Sequence, residues 1–192
     1  MYRSLLGDSR LYELLLKYDE DLAATARAQG CSCGGVLHRA SYARKPRGFI
    51  VGQPLGYDER HSFCCAQDGC RKRVTPASLR FLGPKVYLGA VVTLVTALRC
   101  GLNERRSSEL QRLVGVSRRT LERWRLWWQQ VLPATPFFRV VRAWISEVSV
   151  AQLPASLPEH FADGDELTRL LRLLDFIKPV TTRSGWSIAM LG

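Results

Sequence analysis

The sequence lacks any apolar run that could cross a membrane. Its most apolar stretch, residues 86–98, covers 13 residues and includes two threonines, whereas a transmembrane helix needs about 20 apolar residues. The segment after Met1 also lacks the apolar core of a secretory signal peptide. These absences predict a cytoplasmic protein without a membrane partner, in a reducing compartment where cysteines stay free or bind a metal.

Sequence signatures of catalysis are missing as well. The chain has no glycine-rich phosphate loop, no nucleophile elbow and no closely spaced pair of metal-binding histidines. Its three histidines, His38, His61 and His160, lie far apart, and 192 residues leave too little chain for an added RNase H-like polynucleotidyl-transferase domain. We therefore expect a protein that is not an enzyme.

Acidic residues are scarce relative to basic ones. The chain has 17 Asp and Glu against 28 Lys and Arg, which gives a net charge of +11. Residues 31–142 hold 20 basic and six acidic residues, so this segment alone has a net charge of +14 and both flanking segments are slightly acidic. A concentrated block of positive charge is typical of a face that binds a polyanion. We expect the partner to be a nucleic acid.

Five of the six cysteines lie within residues 31–70, in two short turns that also contain glycine. Such turns let the backbone wrap around a tetrahedral Zn²⁺ ion, and a structural zinc would supply folding energy to a segment with few core residues. The alternative is that these cysteines are small buried hydrophobic residues. The preferred zinc ligands are Cys31, Cys33, Cys65 and Cys70. The reserve ligands are Cys64, which should point away from Cys65 in a strand, and His38 and His61.

Hydrophobic periodicity predicts a mainly α-helical fold with a small zinc-ribbon β element. Helices are expected near residues 9–29, 84–100, 104–131, 137–148 and 165–178, and strand-like pieces at residues 48–51 and 61–64. Within the first helical region, Ser9 is the expected cap and Asp19 or Asp21 the start of a second stretch. Later in the chain, Pro133 and Pro136 should separate the helices on either side of them. The predicted segments are N-terminal helices at 1–30, a zinc-ribbon-like module at 31–83, a helix-turn-helix at 84–132 and a C-terminal helical region at 133–192.

Residues 107–126 carry the pattern of a helix-turn-helix, in which apolar positions bracket a tight turn that contains glycine. Leu110, Leu113 and Val114 precede Gly115, and Val116 follows it. Ser117 is the expected N-cap of a recognition helix whose inner face holds Leu121 and Trp124, and the helix at 84–100 would complete a three-helix unit. The residues expected to contact DNA from this helix are Ser117, Arg118, Arg119, Thr120 and Arg123. The alternative is that these arginines only solvate a helical hairpin.

Basic side chains also surround the cysteines. Arg44, Lys45 and Arg47 follow the first cysteine pair, and Arg71, Lys72 and Arg73 follow the second. The first group resembles an arm that could follow a DNA backbone or enter a minor groove. A solvated loop is the alternative.

The order of these motifs resembles that of small bacterial zinc-ribbon/helix-turn-helix proteins. The motifs are Cys31-x-Cys33-Gly34-Gly35-x-Leu37-His38, residues 44–48 (RKPRG), Cys64-Cys65 to Cys70-Arg71, residues 80–83 (RFLG) and the helix-turn-helix pattern. These bacterial proteins are similar to the DNA-binding part of insertion-sequence transposases and to proteins found with mobile elements. The resemblance covers about residues 30–130. It implies zinc at the cysteines, DNA contact by the helix pair and an accessory or regulatory role, associated with the bacterial nucleoid.

The C-terminal region contains an apolar stripe at helical spacing within residues 165–178, made of Leu167, Leu170, Leu171, Leu174 and Ile177. Core packing is the first interpretation of this stripe, and a homodimer or protein-partner interface is the second. The leading functional hypothesis is a non-enzymatic, sequence-dependent protein that binds double-stranded DNA. The alternatives are an RNA-binding subunit of a ribonucleoprotein and an assembly adaptor between protein partners.

Overall fold

The computed structural model describes residues 4–44, 53–82, 88–96, 104–145, 148–154, 156–161 and 163–182. Within these ranges the protein is mainly helical with small antiparallel sheets, which confirms the expected balance of secondary structure. The predicted strand at residues 48–51 lies outside the described residues, as do Lys45 and Arg47 of the basic arm.

The first helix, α1 (Ser9–Gln29), is continuous over its 21 residues. The prediction that Ser9 caps it is wrong, because the side chain of Asp8 accepts a hydrogen bond from the backbone N–H of Arg10 at 3.0 Å. The predicted second start at Asp19 or Asp21 is also wrong. Asp19 lies on the inward face of an uninterrupted helix, and Gly30, with φ of 72°, ends the helix.

The described residues of the cysteine-containing segment form five short strands: β1 (Leu37–Arg39), β2 (Tyr42–Ala43), β3 (Glu59–Arg60), β4 (Phe63–Cys65) and β5 (Arg73–Val74). Strand β4 lies between β1 and β5 in an antiparallel sheet, and β2 pairs with β3 in a second one. In the first sheet Leu37 lies opposite Cys65, and His38 lies opposite Cys64. Because side chains alternate between sheet faces, these two pairs lie on opposite faces.

The helical part follows in the order α2 (Gly89–Thr96), α3 (Glu104–Val114) and α4 (Arg118–Leu126). The chain stays helical beyond α4, through a π-helical turn at Trp127–Val131 and α5 (Leu132–Ala134). The helical stretch ends at Ala134, Thr135 is extended, and Pro136 begins the next helix, so the break lies between the two predicted prolines. Pro133 lies in the first turn of α5, where the N–H that proline lacks is least needed.

The remaining helices are α6 (Pro136–Val141), α7 (Leu157–His160) and α8 (Glu166–Ile177). The helix expected at residues 137–148 is shorter than predicted, since turns begin at residue 142. By contrast, α8 lies within residues 165–178, where the apolar stripe predicts a helix. The Asp165 side chain caps it by accepting a hydrogen bond from the Thr168 N–H at 2.8 Å.

The main hydrophobic core draws residues from all four predicted segments. Helix α2 packs between α4 and α8, and α1 joins the same core together with residues that follow the strands. The core residues include Leu11 and Leu15 of α1, Tyr57, Leu79 and Phe81 around the strands, Val91 of α2, Trp124 and Trp128, and Leu170, Leu173, Leu174 and Ile177 of α8. The cysteine-containing segment is therefore anchored to the helical core.

A buried ion pair reinforces that anchoring. The Arg80 Nε atom donates to Asp19 Oδ2 at 2.8 Å, and both side chains are fully buried. The other guanidinium nitrogens of Arg80 donate to the backbone carbonyls of Tyr57 and Glu59. Because these groups would be costly to leave unpaired inside the protein, the pair fixes α1 against the strand segment.

Candidate metal centre and nucleic-acid interface

Two tight turns position four cysteine side chains beneath the first sheet. Cys31 and Cys33 lie in the turn after α1, closed by hydrogen bonds from Gly34 N–H to the Cys31 carbonyl at 2.8 Å and from Cys31 N–H to the Gly35 carbonyl at 3.0 Å. Cys65 ends β4, and Cys70 lies in the next turn, where its N–H donates to the Gln67 carbonyl at 3.2 Å.

The four sulfur atoms converge on one point. They all lie within 4.8 Å of one another, with Cys31 Sγ 3.8 Å from Cys70 Sγ and Cys33 Sγ 3.5 Å from Cys65 Sγ. A tetrahedral ion with metal–sulfur bonds of about 2.3 Å requires sulfur–sulfur distances of about 3.8 Å. A disulfide needs about 2.05 Å. The four thiols could therefore hold a metal ion, and their separations do not match disulfide bonds.

Gly35 supplies the space that these sulfurs occupy. A Cβ atom added there would lie 2.7 Å from Cys65 Sγ and 3.4 Å from Cys33 Sγ. No side chain larger than hydrogen fits at this position without displacing a thiol. Gly35 is thus part of the candidate metal site, because its lack of a side chain lets the backbone approach the four thiols.

The four thiols also influence one another's ionisation. The backbone N–H of Cys33 is the main reason that the pKa of the Cys31 thiol falls to about 6, and the thiols of Cys33, Cys70 and Cys65 add to this effect. At Cys65 the backbone N–H of Gln67 acts to lower the pKa, but burial and the neighbouring thiols outweigh it and raise the pKa to about 12. One thiolate thus makes further ionisation costly, and a bound cation would remove that cost.

The reserve ligands lie away from the cluster. Cys64 projects from the other face of β4, as the alternation of strand side chains predicts, and its Sγ lies 3.5 Å from the Arg71 carbonyl oxygen. His38 is exposed on that same sheet face. His61 is half-buried, and burial lowers its pKa. Among the described residues, the four preferred cysteines form the group that could hold a metal ion.

The predicted DNA-contacting residues lie at the N-terminal end of α4. Ser117 precedes the helix in an extended conformation, and its Oγ lies 3.2 Å from the Thr120 hydroxyl without capping the helix. Arg119 is exposed, whereas exposed Arg118 pairs with Glu122 through Nε and Oε1 at 3.0 Å. Arg123 is also exposed, and its Nη2 donates to Thr120 Oγ1 at 3.2 Å.

Thr120 requires a correction. Its side chain is 1% exposed, so it does not belong to the accessible face of α4 on which the sequence pattern placed it. Its hydroxyl instead contacts Ser117 and receives the hydrogen bond from Arg123. Thr120 therefore orients neighbouring polar groups from beneath the surface.

The described basic residues of the cysteine-containing segment have local partners. Arg71 pairs with Asp68 at 2.7 Å, and Lys72 Nζ donates to Ser32 Oγ at 3.2 Å. Arg44 and Arg73 both lie over the ring of Tyr42, with guanidinium carbons 5.0 Å and 5.7 Å from its centroid. Each of these basic side chains thus contacts a residue of the cysteine-containing segment itself.

The apolar stripe of α8 faces inward. Leu170, Leu174 and Ile177 are buried in the main core, and Leu167 and Leu171 pack against it while remaining partly exposed. Packing into the protein's own core thus explains why these positions are apolar, which is the first of the two interpretations. In the described part of the chain, no helix combines the length and apolarity that a membrane span requires.

Comparison of the chain with protein-family models, with curated proteins and with solved structures found no match in any of the three.

The sequence analysis did not predict the burial of the arginines and aromatic residues that lie between α1 and the strands. Arg60 is 3% exposed and Arg80 is fully buried. A charged residue in a short strand gives no local sign of burial, because its burial depends on contacts with distant segments.

Proposed function

We propose that this protein is a non-enzymatic, sequence-dependent double-stranded DNA-binding protein with a structural zinc centre. In this proposal α3 and α4 form a helix-turn-helix, and the protein serves a bacterial mobile element in an accessory or regulatory role. The main support for the proposal is that α4 has one buried apolar face and one exposed basic face. Leu121 and Trp124 are buried, whereas Arg118, Arg119 and Arg123 are exposed.

The donor set favours zinc as the metal. Four thiols at tetrahedral spacing match the all-cysteine sites in which Zn²⁺ has a structural role, since soft thiolate ligands select zinc over magnesium or calcium. Four protein ligands would leave no open coordination position for a water molecule or substrate. The ion would hold the two turns together beneath the sheet.

The connection between α3 and α4 supports a helix-turn-helix. Helix α3 ends at Val114, Gly115 adopts a positive φ of 62°, and α4 begins at Arg118. The buried side chains of Leu110, Val114 and Val116 lie on the inner side of this turn, and α4 packs against α2. Three packed helices with a tight glycine turn between the last two are the features that this motif requires.

Duplex DNA suits the exposed face of α4 better than double-stranded RNA does. A recognition helix inserts its N-terminal residues into the major groove, where an arginine can donate two hydrogen bonds to guanine. Arg118 and Arg119 occupy the first two positions of α4. The major groove of double-stranded RNA is too deep and narrow to be read in this way.

The test is a binding comparison between a duplex selected from a randomised library and a random duplex. We expect Arg119→Ala to lower the affinity for the selected duplex by about tenfold, the effect of losing one base contact, and to affect the random duplex less. The control Arg142→Ala removes an exposed charge outside α4 and should change both affinities equally. Binding of the unaltered protein should fall steeply with salt concentration.

Two results would contradict the proposal. If Arg119→Ala keeps its full preference for the selected duplex, α4 does not read bases through this residue. If structured RNA displaces the selected duplex in direct competition, the protein is an RNA-binding protein.

A further inference from the structure

A cleft lies between the C-terminal half of α1 and the strands of the cysteine-containing segment. Its volume is about 640 Å³, and its lining includes Leu22 and Ala26 of α1 together with Tyr42, Arg44, Arg60 and Arg73. None of the described lining residues is acidic, a ligand of the cysteine cluster or part of α4. The cleft is therefore a separate, positively charged site.

Arg60 is the buried member of this site. Its side chain is 3% exposed, and Nη2 donates to the backbone carbonyl of Pro76. Nη1 is also buried and has no hydrogen-bond partner among the described residues. Burial lowers the pKa of Arg60, which reflects the cost of keeping its charge away from water. An anion bound in the cleft would reduce this cost.

The buried charges around Arg60 do not cancel. Asp19 is the one buried carboxylate of the described residues, and two buried guanidiniums, those of Arg60 and Arg80, lie near it. Its oxygens already accept hydrogen bonds from Arg80 Nε, the Ser78 hydroxyl and the Leu79 N–H. One positive charge is left without a carboxylate, and buried unpaired charge is strongly unfavourable. An anion in the cleft would compensate it.

Two further arginines face the same cleft. Arg44 Nη2 donates to Tyr42 Oη at 3.2 Å, and Arg73 lies over the same ring. Neither arginine has a carboxylate partner among the described residues. Guanidinium groups present several N–H donors in one plane, a geometry that matches the oxygens of a phosphate group.

We propose that this cleft binds the phosphate group of a nucleotide, with Arg44, Arg60 and Arg73 as its donors. The volume is far larger than one phosphate needs and lies in the range of about 300–1,000 Å³ typical of small-molecule sites. Guanidinium planes such as those of Arg44 and Arg73 can stack on a nucleotide base. The nucleotide could be free or part of a polynucleotide. This inference does not depend on duplex binding by α4.

The experiment measures binding of three probes to the full chain by calorimetry: deoxyadenosine monophosphate, deoxyadenosine, and a short single-stranded oligodeoxynucleotide with or without a 5′-phosphate. We expect the monophosphate to bind and deoxyadenosine to bind at least about tenfold more weakly, because the guanidinium–phosphate bonds supply the affinity. Arg44→Gln and Arg73→Gln should each weaken monophosphate binding about tenfold. Arg142→Gln, the matched exposed control, should leave it unchanged.

The oligonucleotide identifies the source of the nucleotide. Weaker binding of the oligonucleotide than of the monophosphate indicates a free nucleotide, and tighter binding that requires the 5′-phosphate indicates a strand end. Both outcomes support the cleft as a phosphate site. Equal binding of deoxyadenosine and its monophosphate would overturn the proposal, as would equal loss of binding in Arg142→Gln and Arg44→Gln.

A buried variant provides an independent measurement. Arg60→Met removes the uncompensated charge, so we expect the thermal midpoint of the ligand-free protein to be kept or raised while monophosphate binding falls at least about tenfold. A folded Arg60→Met variant that binds the monophosphate as well as the unaltered protein would refute the role of Arg60. Arg119→Ala should leave binding in the cleft unchanged, which separates this proposal from duplex binding.

Discussion

Replacement of Gly35 by alanine is expected to disrupt the cysteine cluster without changing any cysteine. The added Cβ would lie 2.7 Å from Cys65 Sγ, whereas ordinary van der Waals contact starts at 3.4 Å. The sulfur or the turn would therefore have to move by about 0.7 Å. Gln67 Cβ at 3.1 Å restricts movement of the turn on its other side.

The size of this displacement sets the expected effect. Metal–ligand distances tolerate deviations of about 0.2 Å, so a shift of this size removes or strongly distorts one of four ligands. A structural zinc site contributes about 10–16 kcal/mol of binding free energy at neutral pH. Losing roughly a quarter of it corresponds to about 3 kcal/mol and weakens zinc affinity about a hundredfold.

The assay is a chelator competition for Zn²⁺ on the full chain, combined with thermal unfolding with and without zinc. Gly35→Ala should lower the midpoint most when zinc is present and less in excess chelator, because the clash matters when the sulfurs are held in place. Gly7→Ala is the control, since nothing lies within 4 Å of its added Cβ. Zinc affinity equal to that of the unaltered protein would refute the inferred geometry.

Two further predictions concern the ligand set and the buried ion pair. Cys33→Ser should reduce zinc content well below one equivalent per chain by elemental analysis, whereas Cys64→Ser should retain it, because only the first removes a converging thiol; equal loss in both would contradict the proposed set. Asp19→Asn leaves the buried Arg80 guanidinium without its carboxylate, so urea unfolding should show a loss of about 3–5 kcal/mol. Asp21→Asn, an exposed change on the same helix, should stay within about 0.5 kcal/mol, and equal losses in the two variants would disprove a special role for the pair.

The four cysteines of the cluster could be predicted from the sequence by rules that involve only neighbouring residues. Adjacent residues of a strand point to opposite faces, so Cys64 and Cys65 could not both face one ion, and the structure places Cys65 inward as expected. The role of Gly35 could not be predicted from the sequence in the same way. Glycine predicted a turn, but the approach of its backbone to Cys65 Sγ depends on a residue 30 positions later in the chain.

Helix positions followed from periodicity more reliably than helix ends did. The stripe of α8 predicted both its location and its buried face, because side chains three and four residues apart share one side of a helix. The end of the helix that contains Pro133 was misjudged. The helix was expected to end by Val131, but it continues through a π-helical turn to Ala134, and the break before Pro136 lies at Thr135.

The sequence by itself determined the mainly helical fold, the positive charge of residues 31–142 and the four cysteines that converge. These features depend on composition, on alternation and on helical spacing, which act over a few residues. Only the tertiary structure decided which charged side chains are buried. Asp19 and Arg80 lie 61 residues apart, and Arg60 becomes a buried cation only once α1 has packed against the strands. No local pattern encodes such contacts, because the free energy of a buried charge depends on the surroundings that the whole chain creates.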